Sequence, residues 1–299
     1  MVRILNANIF VFTLALGNLY ASYVFAEDVN TLRERTHQSE KLLVQYPKIQ
    51  DQYERDFDQY FLDLLTLALD KSGVSYTLEP LPLPLMVESR SAKFLESNQN
   101  MVHWLNASVE REHDLRPIKV PLFKGLIGWR LLFIRKEEQP EFFKIMTKSD
   151  LANYVAGQGH DWPDIKILKE NNLKVLASSS WQGLFEMLTY KRIDYFPRSV
   201  IEIERELRIF SSLDLYVEKS LVLRYPAAYY FFVNTENQSL ATAIEAGLKK
   251  AIADGEFDTL FNRNFADIIK RAQLDERKII ELKSSGDFPL NDEPLWYRP

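Results

Sequence analysis

Gly128-Trp129-Arg130-Leu131-Leu132-Phe133-Ile134 is a β-rich run that stands between two stretches in which strand and helix patterns alternate. Upstream, Lys41-Leu42-Leu43-Val44-Gln45-Tyr46-Pro47 predicts a buried strand stopped by proline. Asp58 to Ser72 predicts a helix, with Phe61, Leu64, Leu65 and Leu69 at helical spacing and Gly73 closing it. Val74 to Leu83 predicts a strand that runs out in three prolines. Residues 86–96 predict a second helix and Met101-Val102-His103-Trp104 a third strand. Ile118 to Phe123 is β-rich and leads into the 128–134 run. Downstream, Phe142 to Ala152 predicts a helix, and Tyr154-Val155-Ala156 a strand that opens into Gly157-Gln158-Gly159. A helix to Glu170, strand Lys174–Ala177, helix Trp181–Tyr190, strand Ile193–Phe196 and helix Val200–Leu207 come next. Leu221–Tyr225 and Ala228–Val233 are strand-like again. In the next helix Leu240, Ile244, Leu248 and Ile252 lie four apart on one face. Phe257, Leu260 and Phe261 begin another; the charged, proline-rich tail from Leu274 is assigned no element.

Two α/β rhythms joined by extended segments near 130–136 and 226–234 predict two lobes with two hinge strands and a cleft between them. Lobe 1 is expected over 41–133 and 232–273, lobe 2 over 137–228, and a C-terminal tail over 274–299.

The 299 residues are 46% hydrophobic and 26% charged, which places the chain among folded globular proteins. The net charge of −5, with both signs interspersed, excludes the basic face that a nucleic-acid binder needs. With no cysteine, disulfides, thiolate metal sites and a cysteine nucleophile are excluded. Residues 1–26 read as a cleaved secretory signal peptide: Arg3, the apolar run Ile9–Leu16, and Val24 and Ala26 at −3 and −1 before Glu27-Asp28. The alternative, an uncleaved anchor, is opposed by Asn6, Asn8, Gly17 and Asn18, which leave the run shorter than the ~20 residues of a spanning helix. The expected location is the periplasm, and without cysteine the protein is not a lipoprotein.

The segment Ala253-Asp254-Gly255-Glu256-Phe257, between the amphipathic helix and Leu260-Phe261-Asn262-Arg263-Asn264-Phe265, resembles the C-terminal signature of bacterial extracellular solute-binding proteins of family 3. Ser108-Val109-Glu110-Arg111 is similar to that family's Thr-x-Glu-Arg segment, Pro121-Leu122-Phe123 sits where it has a Pro-Tyr pair, and Tyr154–Gly159 looks like its second-lobe ligand turn. The resemblance covers about Leu42 to Phe265. Trp162-Pro163-Asp164, Leu184–Leu188 and Arg192–Arg198 are similar to an uncharacterised branch of the superfamily.

The resemblance implies an α/β, two-lobed periplasmic-binding-protein type II (venus-flytrap) fold that closes on a small polar or anionic solute without catalysis, for uptake or sensing. Arg111 matches the arginine that grips a ligand carboxylate, a task suited to a planar guanidinium; the other reading is an ion pair with Glu110, Glu112 or Asp114. Ser108 and Asn106 fall where the family supplies donors beside it. At the end of the second-lobe strand counted from Asp194, where amino-acid binders place an acid for the ammonium, this sequence has Arg198 and Ser199. A donor-only arginine there disfavours an ammonium and favours an anionic partner; the other reading pairs Arg198 with Glu202. Tyr46 and Trp104, at C-terminal strand ends, join Gly157, Gln158 and Gly159 as cleft candidates.

No catalytic constellation is legible. The four histidines show no metal-ligand spacing, and no nucleophile elbow, Walker loop or dinucleotide fingerprint occurs. No metal or cofactor is expected. The competing class is a periplasmic enzyme on the same fold. Expected partners are a small solute, including one bearing a carboxylate, and an ABC permease or membrane sensor; the protein is read as a monomer.

Overall fold

A computed structural model describes residues 41–49, 55–284 and 295–298; the expected signal peptide at 1–26 lies outside them. The chain divides into Met1–Leu42 and a compact unit, Leu43–Pro299, that carries the sheets and helices.

The first half of the chain runs β1 (Leu42–Ile49), α1 (Arg55–Ser72), β2 (Tyr76–Leu83), α2 (Glu88–Glu96), β3 (Val102–Asn106), α3 (Val109–Asp114) and β4 (Arg116–Ile118). It then leaves this sheet for β5 (Trp129–Arg135), α4 (Gln139–Phe142), α5 (Lys148–Leu151), β6 (Val155–Gly159), α6 (Asp164–Glu170), β7 (Lys174–Ser178), α7 (Trp181–Thr189), β8 (Phe196–Ser199), α8 (Ile203–Ile209), β9 (Leu215–Val217) and β10 (Leu221–Arg224). It returns for β11 (Tyr229–Val233), α9 (Gln238–Ala253) and α10 (Glu256–Ala272), and ends in β12 (Lys278–Glu281).

In the first half, β11 lies between β3 and β4, antiparallel to both, with Tyr229 opposite Asn106 and Phe231 opposite Ile118. β1 pairs with β2 and is bridged to β3 through Gln45 and Met101. In the second, β5 is flanked by β8, β9 and β10, and the parallel pair β6–β7 joins β8 through the Ala156–Tyr195 bridge. The change of sheet thus falls between Ile118 and Trp129 and between Arg224 and Tyr229. The two crossing segments touch, Tyr225 N–H donating to the Gly128 carbonyl at 3.1 Å.

Each half has its own core. Beneath the first sheet the rings of Tyr60, Phe61, Trp104, Phe123, Tyr229 and Phe265 pack at 4.8–5.9 Å between centroids. The second core is built on Leu132, Ile134, Phe142, Leu168 and Tyr195. The apolar face of α9 packs on α1 so closely that a Cβ on Gly247 would stand 1.7 Å from the Ala68 carbonyl oxygen.

Several local expectations are corrected. Pro47 lies inside β1 instead of ending it; on the β3 side Gln45 alone bridges among the described residues, so the missing N–H interrupts no ladder there. The helix expected over 142–152 is two short helices, because Thr147 and Asp150 form a capping box that starts a new one. Residues beyond Ile118 turn, with Lys124 N–H bonded to the Pro121 carbonyl at 2.9 Å and Lys124 at φ 50°. The glycines of 157–159 belong to strand β6, not to a turn after it.

The tail also has structure. After α10 the chain crosses once more, and β12 adds in parallel to the edge of β10, Leu221 opposite Lys278. Just past β12, Asn171 clamps the backbone of Lys283, accepting from its N–H at 3.0 Å and donating to its carbonyl at 2.8 Å. Further on, the Trp296 ring lies on Gly125 and Tyr297 N–H donates to the Lys124 carbonyl at 2.7 Å.

Candidate functional site

On the first sheet, β3 ends at Asn106, and Ser108 caps α3 by accepting the Arg111 N–H at 3.2 Å. This one-turn element turns the Arg111 side chain back over the strand end. Arg111 is 8% exposed; its Nη1 donates to Glu88 Oε2 at 2.6 Å and to the Asn106 carbonyl at 2.8 Å. Glu88, the first residue of α2, also accepts from Asn106 Nδ2 at 3.0 and 3.3 Å and from the Tyr229 hydroxyl at 2.6 Å. Burial, with the Glu88 charge added, raises the Tyr229 pKa well above its ordinary value, so it remains a donor. The Nε and Nη2 of Arg111 carry no partner among the described residues.

On the second sheet, Gly159 lies under the Trp162 indole; a Cβ there would meet ring atoms at 2.5 Å, so only glycine admits the stack. The Arg198 guanidinium stands 4.6 Å above the same ring. It pairs with Glu206 through Nε and Nη2, at 2.9 and 2.6 Å to Oε1, and with Glu202 at 3.0 Å. Trp181 Nε1 also donates to Glu206, at 3.1 Å. Burial opposes the Arg198 charge, but the carboxylates of Glu202 and Glu206 outweigh it and raise its pKa. Burial likewise pushes Glu206 up, against the pull of Arg198. Beside them Arg130 pairs with Asp164 at 2.6 Å, and Tyr225 donates to the same carboxylate. The Ser199 hydroxyl donates to the Leu126 carbonyl at 3.0 Å. Gln158 is fully buried, and neither amide atom has a partner among the described residues.

The two halves meet at this point. Asp161 accepts from the Ser89 N–H at the start of α2, at 3.1 Å, and Arg271 on α10 forms a two-pronged pair with Glu204 on α8 at 2.7 and 2.9 Å. Between α1, α8 and α10 lies a cavity of about 150 Å³, lined among others by Tyr60, Ile201, Arg205, Arg208 and Phe265. Among the described residues no group of three or more metal-ligating side chains occurs.

The structure therefore brings Arg111, Asn106 and Ser108 together, and gathers Arg198 and Trp162 on Gly159. Trp104 stacks on Phe61 at 4.9 Å inside the first core, and Tyr46 is half-buried on β1. Sequence reading missed Glu88, Tyr229 and Glu206. Glu88 has no local signature, since its partners are 18 to 141 residues away; Glu206 lies eight residues from Arg198, outside helical spacing.

His103, buried on β3 behind this cluster, has neither ring nitrogen bonded among the described residues. Burial holds it at about 4, with Glu88 raising and Arg111 lowering it. A base whose folded pKa lies below its unfolded value of 6.5 costs stability as pH falls from 6.5 toward 4. Asp58, raised by burial to about 6, has the opposite slope, losing stability as pH rises from 3.8 through 6. A His103→Phe variant leaves Asp58 unchanged and isolates the first effect. Its unfolding free energy relative to the wild type should rise by about 3 kcal/mol between pH 7 and pH 4 in urea titrations; a constant difference would show that His103 keeps an ordinary pKa.

No protein-family profile and no curated protein matches the sequence. Solved structures do match. An ancestral arginine-binding protein bound to arginine aligns over 75% of this chain and 99% of its own, at 16% identity and TM-score 0.55. The GluR0 ligand-binding core from Nostoc punctiforme in complex with L-glutamate aligns over 75% and 99%, at 15% and 0.53. The VFT2 domain of Bordetella pertussis BvgS aligns over 78% and 97%, at 14% and 0.58. The chain has the two-lobed α/β fold of periplasmic binding proteins, as its sequence resemblance implied.

Proposed function

We propose that the chain captures a small polar or anionic solute between its two lobes, without catalysis, and that the closed form is read by a permease for uptake or by a membrane sensor. The observation that carries this is the Arg111 guanidinium. It is anchored through Nη1 alone, while Nε and Nη2, the edge that makes paired bonds to a carboxylate, have no partner among the described residues. Three features support the reading: the fold, neighbours that hold arginine or glutamate, and contacts between the halves at Asp161 and Arg271 that closure would make and break. The proposed location is the periplasm, with residues 1–26 removed on export. Gly157, Gln158, Gly159, Arg198 and Ser199 are the proposed second-lobe side of the site, Tyr46 and Trp104 the aromatic contacts of the first.

Solute binding shifts the population toward the closed form in proportion to its preference for that form. A thermal-shift screen of the exported protein against a metabolite library should give a hit, because a ligand of the native state raises its melting temperature. In Arg111→Lys, which keeps the charge beside Glu88 but not the planar fork, affinity for that hit should fall about tenfold or more. A hit whose affinity is unchanged in Arg111→Lys and lost in Arg208→Ala would move the site to the cavity beside α8.

A further inference from the structure

The carboxylate of Glu88 stands at the Nη1 side of Arg111, next to the open Nε–Nη2 edge. Its two oxygens accept from Arg111 Nη1, Asn106 Nδ2 and the Tyr229 hydroxyl, at 2.6 to 3.3 Å, all from groups of the first sheet and its connections. That is the donor set by which a protein recognises an external carboxylate: one guanidinium and two neutral donors converging on a single acceptor. Glu88 reaches it from the first residue of α2, whose next N–H is held by Asp161 of the other half. Contact between the halves therefore fixes the segment that carries Glu88 over Arg111.

We propose that Glu88 is the built-in occupant of the Nη1 side of an anion site at Arg111, and that its charge weakens the hold of the free Nε–Nη2 edge on a simple carboxylate from outside. A bare monocarboxylate on that edge must share the guanidinium with Glu88, which is already tethered in place. A solute with further polar groups can displace it and use the Tyr229 and Asn106 donors that it frees. Glu88 is thus a specificity-determining residue that rejects simple acids. The inference rests on Arg111 as the solute contact, but its test needs no natural solute.

The test is rescue by acetate. Glu88→Ala leaves three donors converging on an empty position. Acetate titrated against chloride at equal ionic strength should raise the melting temperature of this variant saturably, with an affinity about tenfold or more above any effect on the wild type. The double variant Glu88→Ala/Arg111→Lys should lose most of that gain. Glu88→Ser, whose hydroxyl suits a helix start, repeats the measurement should the alanine variant not fold. If acetate stabilises neither variant more than chloride does, the occupant reading is wrong. Acetate rescue without any hit in the metabolite screen would keep this inference and remove the transport-or-sensing reading; a hit without rescue would do the reverse.

Discussion

Replacing Arg198 with methionine should cost the fold about 3–5 kcal/mol, the range for breaking a buried ion pair from one side. The side chain is 6% exposed, and the carboxylate that it leaves behind, Glu206, is 2% exposed. Glu202, already within 3.0 Å of Arg198, would then face Glu206 with Arg130 as the remaining nearby cation. For a domain of this size such a loss lowers the melting temperature by about 10 °C. The defect should be pH-dependent. Without Arg198, burial holds the Glu206 pKa higher still, and a raised acid pKa means stability present at low pH and lost as pH rises through it. The variant should therefore stand closer to the wild type at pH 5 than at pH 8. Pairing it with Glu206→Leu should recover much of the loss, because removing both charges leaves none stranded. A loss below about 1 kcal/mol at pH 8, the scale of an exposed pair, would show that Arg198 is solvated in solution.

Gly247→Ala should be nearly as damaging, although alanine is the better helix former by about 1 kcal/mol. The new Cβ would stand 1.7 Å from the Ala68 carbonyl oxygen and 2.5 Å from its carbon. Both are backbone atoms of α1, so no rotamer change relieves the contact and the two helices must part. Overpacking of this kind costs about 1–3 kcal/mol or more, and here it falls on the broadest helix-to-helix contact of the first half. A melting temperature lowered by about 5 °C or more is expected; a stabilised variant would mean that α1 and α9 stand farther apart than described.

The elements that could be read in advance were those whose signal is local. In the stripe Leu240, Ile244, Leu248 and Ile252 the first three are buried as their spacing requires and Ile252 is half-buried; Phe61, Leu64, Leu65 and Leu69 of α1 are buried too. Misreadings arose where a local signal was outvoted. The apolar residues from Phe142 to Leu151 concealed the Thr147–Asp150 cap, itself a sequence signature, and four residues, Lys278–Glu281, were too few to declare the strand that β10 templates. Ser108 and Arg111 were legible as a site because a short cap-and-helix motif holds them. Glu88 was not: it is one acidic residue among 42 in the chain, and its role exists only once α2, β3 and β11 are assembled.

The path of β11, α10 and β12 bears on how the molecule can be made. β11 is the middle strand of the first sheet and comes 111 positions after its neighbour β4 ends at Ile118, and the edge strand of the second sheet comes after the last helix of the first. On the ribosome, where N-terminal segments normally fold first, neither half has a complete sheet until nearly the whole polypeptide has emerged. Such long loops must close before their contacts repay the entropy. The export proposed above, taken in an unfolded state, would suit this order of assembly, because a threaded chain would have little finished structure to undo.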